Sequence, residues 1–84
     1  MSEAPQQHHL AVDAHTLREA LDAHQRYLAG RSGGRRLNLT YADLSNTSLE
    51  GVDLRDADLT GARLTGAILA RSNLSRAILF GADL

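Results

Sequence analysis

The sequence predicts a mainly β fold in which the chain winds into stacked coils, preceded by a single α-helix. Three observations carry that prediction. Ten leucines recur at a strict spacing of five: Leu39, Leu44, Leu49, Leu54, Leu59, Leu64, Leu69, Leu74, Leu79 and Leu84. The position two before each leucine is mostly small, and the position two after includes Gly51, Gly61, Gly66 and Gly81. Finally, a period of five suits neither regular element. Five helical steps turn a side chain by roughly 500°, so the leucines would spiral around a helix, and an odd spacing sends them to alternate faces of a flat strand.

The elements follow in order. Residues 1–12 are polar and mixed, hold Pro5, the single proline, and are expected to form a mobile tail. Residues 13–30 are expected to form a helix whose apolar face carries Leu17, Leu21 and Leu28, with His24 at the same spacing. Asp13 offers an N-cap, although a capping box from Thr16 to Glu19 would start the helix later. Gly30 stands where a C′ glycine belongs. Arg18 with Asp22, and Asp22 with Arg26, have the spacing of ion pairs along one helix face. Residues 31–36 form a Gly/Arg-rich connector with Arg31, Arg35 and Arg36.

From residue 37 onward the unit is a pentapeptide. With each leucine inward, the small residue two before it also points inward, and the residue between points out. That is a short extended segment. The other two residues must turn a corner so that the next segment aims its leucine at the same axis. Stacking such coils buries a continuous leucine column. The size of Leu37 at a small slot suits an end unit. Ile68, Ile78 and Phe80 occupy outward positions that are otherwise mostly polar.

The stretches "YADLS", "GVDLR", "DADLT" and "GADL" resemble the pentapeptide-repeat family, whose motif is A-(D/N)-L-x-x. The resemblance covers residues 37–84. It implies a right-handed quadrilateral β-helix with four pentapeptides per coil, so ten units would make two and a half coils. Residues twenty apart would then share a face: Asp56 under Arg76, and Asp43, Arg63 and Asp83 in one column. The helix at residues 13–30 would act as a cap at one end. At the other, Leu84 falls inside a repeat, so the β-helix is expected to be truncated or open there.

Chemistry is sparse. Net charge is −1, which gives no pull toward nucleic acid or anionic lipid, and all nine basic residues are arginine. No apolar run approaches the ~20 residues of a membrane span. The absence of cysteine fits a reducing compartment and, with the resemblance, sets the expectation of a bacterial, cytoplasmic protein. His8, His9, His15 and His24 show no metal-ligand spacing, so no metal and no cofactor are expected. Asp53, Asp56 and Asp58 are expected to be solvated outer residues. The Arg31, Arg35 and Arg36 cluster has no aromatic platform beside it and is expected to be a solvated linker, with anion binding as the alternative.

The expected function is therefore that of a non-catalytic structural or protein-interaction module that self-associates or continues into further coils. Its candidate interface is Ile78, Leu79, Phe80 and Leu84. The alternative is a DNA mimic acting on a type II topoisomerase, as some members of the family are. Six acids against four arginines in residues 37–84, a net of −2, are too few for that role. A duplex carries a charge about every 1.7 Å.

Overall fold

Each backbone corner of the repeat, one in every five residues, is closed by the same hydrogen bond. The N–H of the small residue donates to the carbonyl of the leucine three residues earlier, from Ala42 to Leu39 at 3.1 Å through to Ala82 to Leu79 at 3.0 Å. The third residue of each turn lies at positive φ. Tyr41, Asn46, Gly51, Asp56, Gly61, Gly66, Arg71, Arg76 and Gly81 span 58° to 73°. The second turn residue does not share that sign, so these are type II turns, which require a left-handed third residue. This corner turns the chain often enough for a five-residue period to return on itself.

The computed structural model describes residues 10–84. Parallel bridges join residues twenty apart and define four faces: Asn38–Asp58–Ile78, Asp43–Arg63–Asp83, Ser48–Ile68 and Asp53–Asn73. From Leu39 to Leu64, each repeat-leucine N–H donates to a carbonyl of the next lap, as Leu39 to Asp58 at 2.8 Å and Leu59 to Ile78 at 2.8 Å. From Asp58 onward, the residue before each leucine donates back to the lap below, as Asp58 to Leu37 at 3.0 Å and Ile78 to Ala57 at 2.9 Å. These ladders satisfy the extended segments, and the turns satisfy the corners.

The core is the leucine column with its small neighbours. Leu39, Leu44, Leu49, Leu54, Leu59 and Leu64 are buried, as are Ala42, Ala57 and Ala62. Leu69, Leu74 and Leu79 are only partly buried, and Leu84 is exposed, because no lap stacks above the last one among the described residues. The ten leucines are thus not equivalent, and the expectation of one uniform core column is corrected at Leu69, Leu74, Leu79 and Leu84.

The N-terminal region also departs from expectation. Residues 1–9 of the expected tail, with His8 and His9, lie outside the described residues. Residues 10–12 are part of the fold. Strand β1, Leu10–Ala11, pairs in parallel with β2, Ala42–Asp43, aligning Leu10 with Ala42 and Ala11 with Asp43. Val12 packs against the core. The segment sits beneath the second face as a partial lap.

Helix α1, Ala14–Leu28, starts at Asp13, whose carboxylate accepts the Thr16 N–H at 2.8 Å. It ends in a Schellman motif. Gly30 at φ 68° donates to Tyr27 and Arg31 donates to Arg26. Leu17 enters the core, with Ala20 and Leu21 packed on it. Leu28 is half-buried but does not pack against the core cluster, and His24 takes the central place instead. Neither the Arg18–Asp22 nor the Asp22–Arg26 pair forms; instead His15 Nε2 lies 3.3 Å from a Glu19 carboxylate oxygen.

Leu59, fully buried in the middle lap, tests the register. Leu59→Ala is expected to cost about 2–5 kcal/mol through lost apolar burial and the cavity left behind. Thr65→Ala, at an exposed corner, is expected to cost less than about 0.5 kcal/mol. Chemical denaturation of the two variants measures the difference.

Candidate interaction site

At five of the units, the outward residue before the leucine is a turn clamp rather than a bystander. Oδ1 of Asn38, Asp43, Asp53, Asp58 and Asn73 accepts the backbone N–H two residues on, over the corner. Where a hydroxyl stands at that corner it donates to the same oxygen, as Thr60 does to Asp58 at 2.6 Å and Ser45 to Asp43 at 2.6 Å. This is an Asx-turn repeated along the stack. The expectation of merely solvated carboxylates at Asp53 and Asp58 is corrected accordingly. The Thr60 hydroxyl holds the Asp58 carboxyl below the ordinary carboxylate range, and Arg55 does the same for Asp53.

Charges pair between laps as well. Arg76 grips Asp56 with Nε at 2.8 Å and a terminal nitrogen at 3.0 Å, which lowers the Asp56 pKa. Arg71 pairs with Glu50. These pairs are largely exposed and contribute little stability individually. Their consequence is electrostatic: with Asp53 on Arg55, three of the six acids of the repeat face arginines.

At the base of the stack, His24 joins α1 to the repeat. It is fully buried. Its Nδ1 accepts the Leu37 N–H at 2.9 Å and its Nε2 faces the Arg55 carbonyl at 2.8 Å. Those partners require a proton on Nε2 and a lone pair on Nδ1, so the imidazole replaces two backbone partners that a lower lap would have supplied. Gln25 donates to the Asp53 carbonyl at 3.1 Å in the same way. Tyr27 stacks on the His24 ring at 5.7 Å. The helical spacing put His24 in line with the apolar face but gave no sign of this bridge.

The arginine connector is exposed along residues 31–36, as a solvated linker is, but its course is tethered by hydrogen bonds. Arg31 closes the helix with its N–H, the Arg35 N–H donates to the Ala23 carbonyl at 3.0 Å, and Arg36 Nε donates to the Asp56 carbonyl at 2.6 Å. Gly34 lies so close to the Tyr27 backbone that a Cβ there would overlap it. The three guanidinium groups are thus distributed by a tethered connector. Arg35 and Arg36 line one groove beside α1, opposite Glu19. No group of His, Cys, Asp and Glu that could hold a metal occurs among the described residues.

The opposite end is apolar. Phe80 is 80 % exposed and Leu84 73 %, with Ile68 and Ile78 also exposed. The partly buried Leu69, Leu74, Leu79 and Ala82 lie between them. Of the four residues expected at an interface, Ile78, Phe80 and Leu84 are exposed and Leu79 is half-buried on the same lap.

The five-residue corner, the twenty-residue ladder and the inward leucines define a β-helical repeat protein. A family model for pentapeptide repeats matches residues 35–56 and 57–84 in eight copies, and the chain belongs to that family. No curated protein sequence matches the chain. No helix among the described residues is long and apolar enough to cross a membrane.

Two predictions follow from the base and the clamps. His24→Leu removes the partners of the Leu37 N–H and the Arg55 carbonyl, and is expected to cost about 2–4 kcal/mol in denaturant titration. Asp13, Asp53, Asp56 and Asp58 all have folded pKa values below the ordinary 3.8. Their contribution is therefore complete above the unfolded value and is lost as pH falls through it toward the folded values. The thermal midpoint is expected to hold from neutral pH to about pH 5 and to drop below about pH 4. Asp58→Asn, which keeps the oxygen acceptor without the titrating charge, should flatten that drop.

Proposed function

We propose that this chain is a non-catalytic protein-interaction module. In this reading it is a right-handed quadrilateral β-helix, capped at its base by α1, that presents the apolar face of its last lap to a partner. In a solution of residues 1–84 that partner is a second copy; where the chain continues, the same face seats a further lap. The observation that carries the reading is the exposure of Phe80 and Leu84 around three half-buried leucines. Apolar surface removed from water contributes about 25 cal/mol per Å², so covering this end favours association. The backbone edge of the last lap adds a template for strand pairing.

Pentapeptide repeat proteins are generally non-catalytic, and the arrangement of this chain suits that role. Ser and Thr hydroxyls at the corners are held on Asx-turn oxygens, and the repeat contains no histidine to activate them. The pairing of Asp56, Asp53 and Glu50 with arginines supports a protein surface over a mimic of the nucleic-acid backbone. A cytoplasmic location belongs to the same proposal and accords with the lack of cysteine.

Sedimentation across a wide concentration range tests the reading. The unmodified chain is expected to move from monomer to dimer. Phe80→Asp is expected to shift that transition to higher concentration while the helical circular dichroism of α1 is retained. A folded monomer at every concentration, unaltered by Phe80→Asp, overturns the proposal.

A further inference from the structure

The first lap of the repeat has four lower edges, and two of them are open. In each segment the residue before the leucine turns both its N–H and its C=O toward the lap below. Asp58, for example, donates to the Leu37 carbonyl and accepts from the Leu39 N–H. In the first lap these residues are Asn38, Asp43, Ser48 and Asp53. Strand β1 runs beneath Asp43. Gln25 donates to the Asp53 carbonyl, and His24 holds the Arg55 carbonyl beside it. Asn38 and Ser48 are exposed, and among the described residues their backbone N–H and C=O have no partner.

Helix α1 crosses the base between these two edges and leaves a groove at each. The groove at Asn38 measures about 310 Å³ and the one at Ser48 about 230 Å³. Only the first reaches the size of ligand clefts, about 300–1,000 Å³. Buried Leu37 forms one of its sides, and Ala20 and Ala23 of α1 form the other. Its positive end is fixed by the connector, where the Arg35 N–H donates to the Ala23 carbonyl. The Arg35 guanidinium has no partner among the described residues, and Arg36 commits only its Nε, to the Asp56 carbonyl. Glu19 stands four residues before Ala23, about 6 Å along the helix axis, so the groove is polarised along its length.

An extended chain laid in this groove parallel to Leu37–Leu39 repeats the contact that each lap makes with the next. It gives one C=O to the Asn38 N–H and one N–H to the Asn38 C=O. The residues flanking that pair face Leu37, Ala20 and Ala23, which leaves room for small side chains. The residue two places before the pair stands at the arginine end, where a carboxylate reaches Arg35. The Thr40 carbonyl at the next corner also points down, as its counterpart Thr60 does in accepting from Tyr41. A short segment ends before that corner, so this carbonyl keeps its water. The chain's own N-terminal side is not directed into the groove. The Leu10 N–H is taken by the Tyr41 carbonyl, so the corner bond that steers every later segment beneath or above its neighbour is not made at β1.

We propose that this groove takes an extended acidic segment of a partner protein, paired through its backbone with Asn38 and through a carboxylate with Arg35. Strand addition of this kind draws affinity from the main chain and specificity from the side chains beside it. The surface lies at the opposite end from the last lap and does not depend on self-association.

The probe is the peptide acetyl-Glu-Ala-Thr-Ala-amide, with acetyl-Gln-Ala-Thr-Ala-amide as its neutral counterpart. Each is titrated into the isotope-labelled full chain while backbone amide resonances are followed. The Asn38 amide is expected to shift saturably with the acidic peptide while the Ser48 amide stays in place. The neutral peptide is expected to bind about fivefold more weakly, as is the acidic peptide to Arg35→Gln, the worth of one exposed ion pair. Arg31→Gln, on the same connector but outside the groove, is expected to leave binding unchanged. If Arg35→Gln fails to fold, the two peptides on the unaltered chain still decide the matter. An Asn38 amide unmoved by excess acidic peptide overturns the proposal, and so does equal binding of the two peptides. Equal weakening by Arg31→Gln and Arg35→Gln also overturns it, since a diffuse positive field would then suffice. Contacts between Asn38 and residues 1–9 in the free chain would assign the groove to this chain's own N-terminus and overturn it as well.

Discussion

The architecture depends on a backbone that accepts a left-handed residue at every fifth position. Glycine takes that conformation freely, but Tyr41, Asn46, Asp56, Arg71 and Arg76 take it at a cost of ~1 kcal/mol or more each. None is β-branched, which would make the position harder still. The strain is offset locally. The turn hydrogen bond closes every corner, and the Asx clamp secures the residue before it at five of them. With the corner held, the leucine points inward without further instruction, and the next lap finds its hydrogen-bond partners twenty residues on.

The corner also explains why glycine appears where it does. At Gly61 a Cβ would overlap the ring of Tyr41 one lap below, and at Gly66 it would overlap the Asn46 amide. At these two corners the side chain of one lap occupies the space where a Cβ on the next would sit, so glycine stands there. Positive φ is therefore one reason for these glycines and close approach is the other. At Gly51 the space is open, and only the backbone conformation favours glycine.

The repeat was legible because its signal is local and redundant: the leucine recurs in phase ten times, with a mostly small residue two before it and a turn residue two after nine of them. The clamps were legible in principle. Asn or Asp followed two residues later by Ser or Thr occurs at Asn38, Asp43, Asp58 and Asn73, but the pattern is visible only as a hydrogen-bond geometry once the corner is known. Residues 10–12 were hidden for a different reason. Leu10 aligns with Ala42, thirty-two residues away, which is not a multiple of five, so no extension of the repeat phase reaches it. His24 was hidden because its partners are backbone atoms of Leu37 and Arg55, and main-chain groups leave no mark on the sequence. The tethering of the connector escaped notice for the same reason at Arg35 and Ala23.

The coupling of Tyr41 to Gly61 and of Asp56 to Arg76 across twenty residues bears on how such a chain can change length. Removing or duplicating one pentapeptide would slide every later residue onto a neighbouring face. Large corner side chains would then meet corners that are not bare, and arginines would lose their carboxylates. Removing or duplicating a block of four would leave each later residue in its own column. Selection on this fold should therefore tolerate growth and shrinkage in whole-lap steps, and the permitted amino acids at a corner should depend more on the residue twenty places away than on its neighbours in the chain.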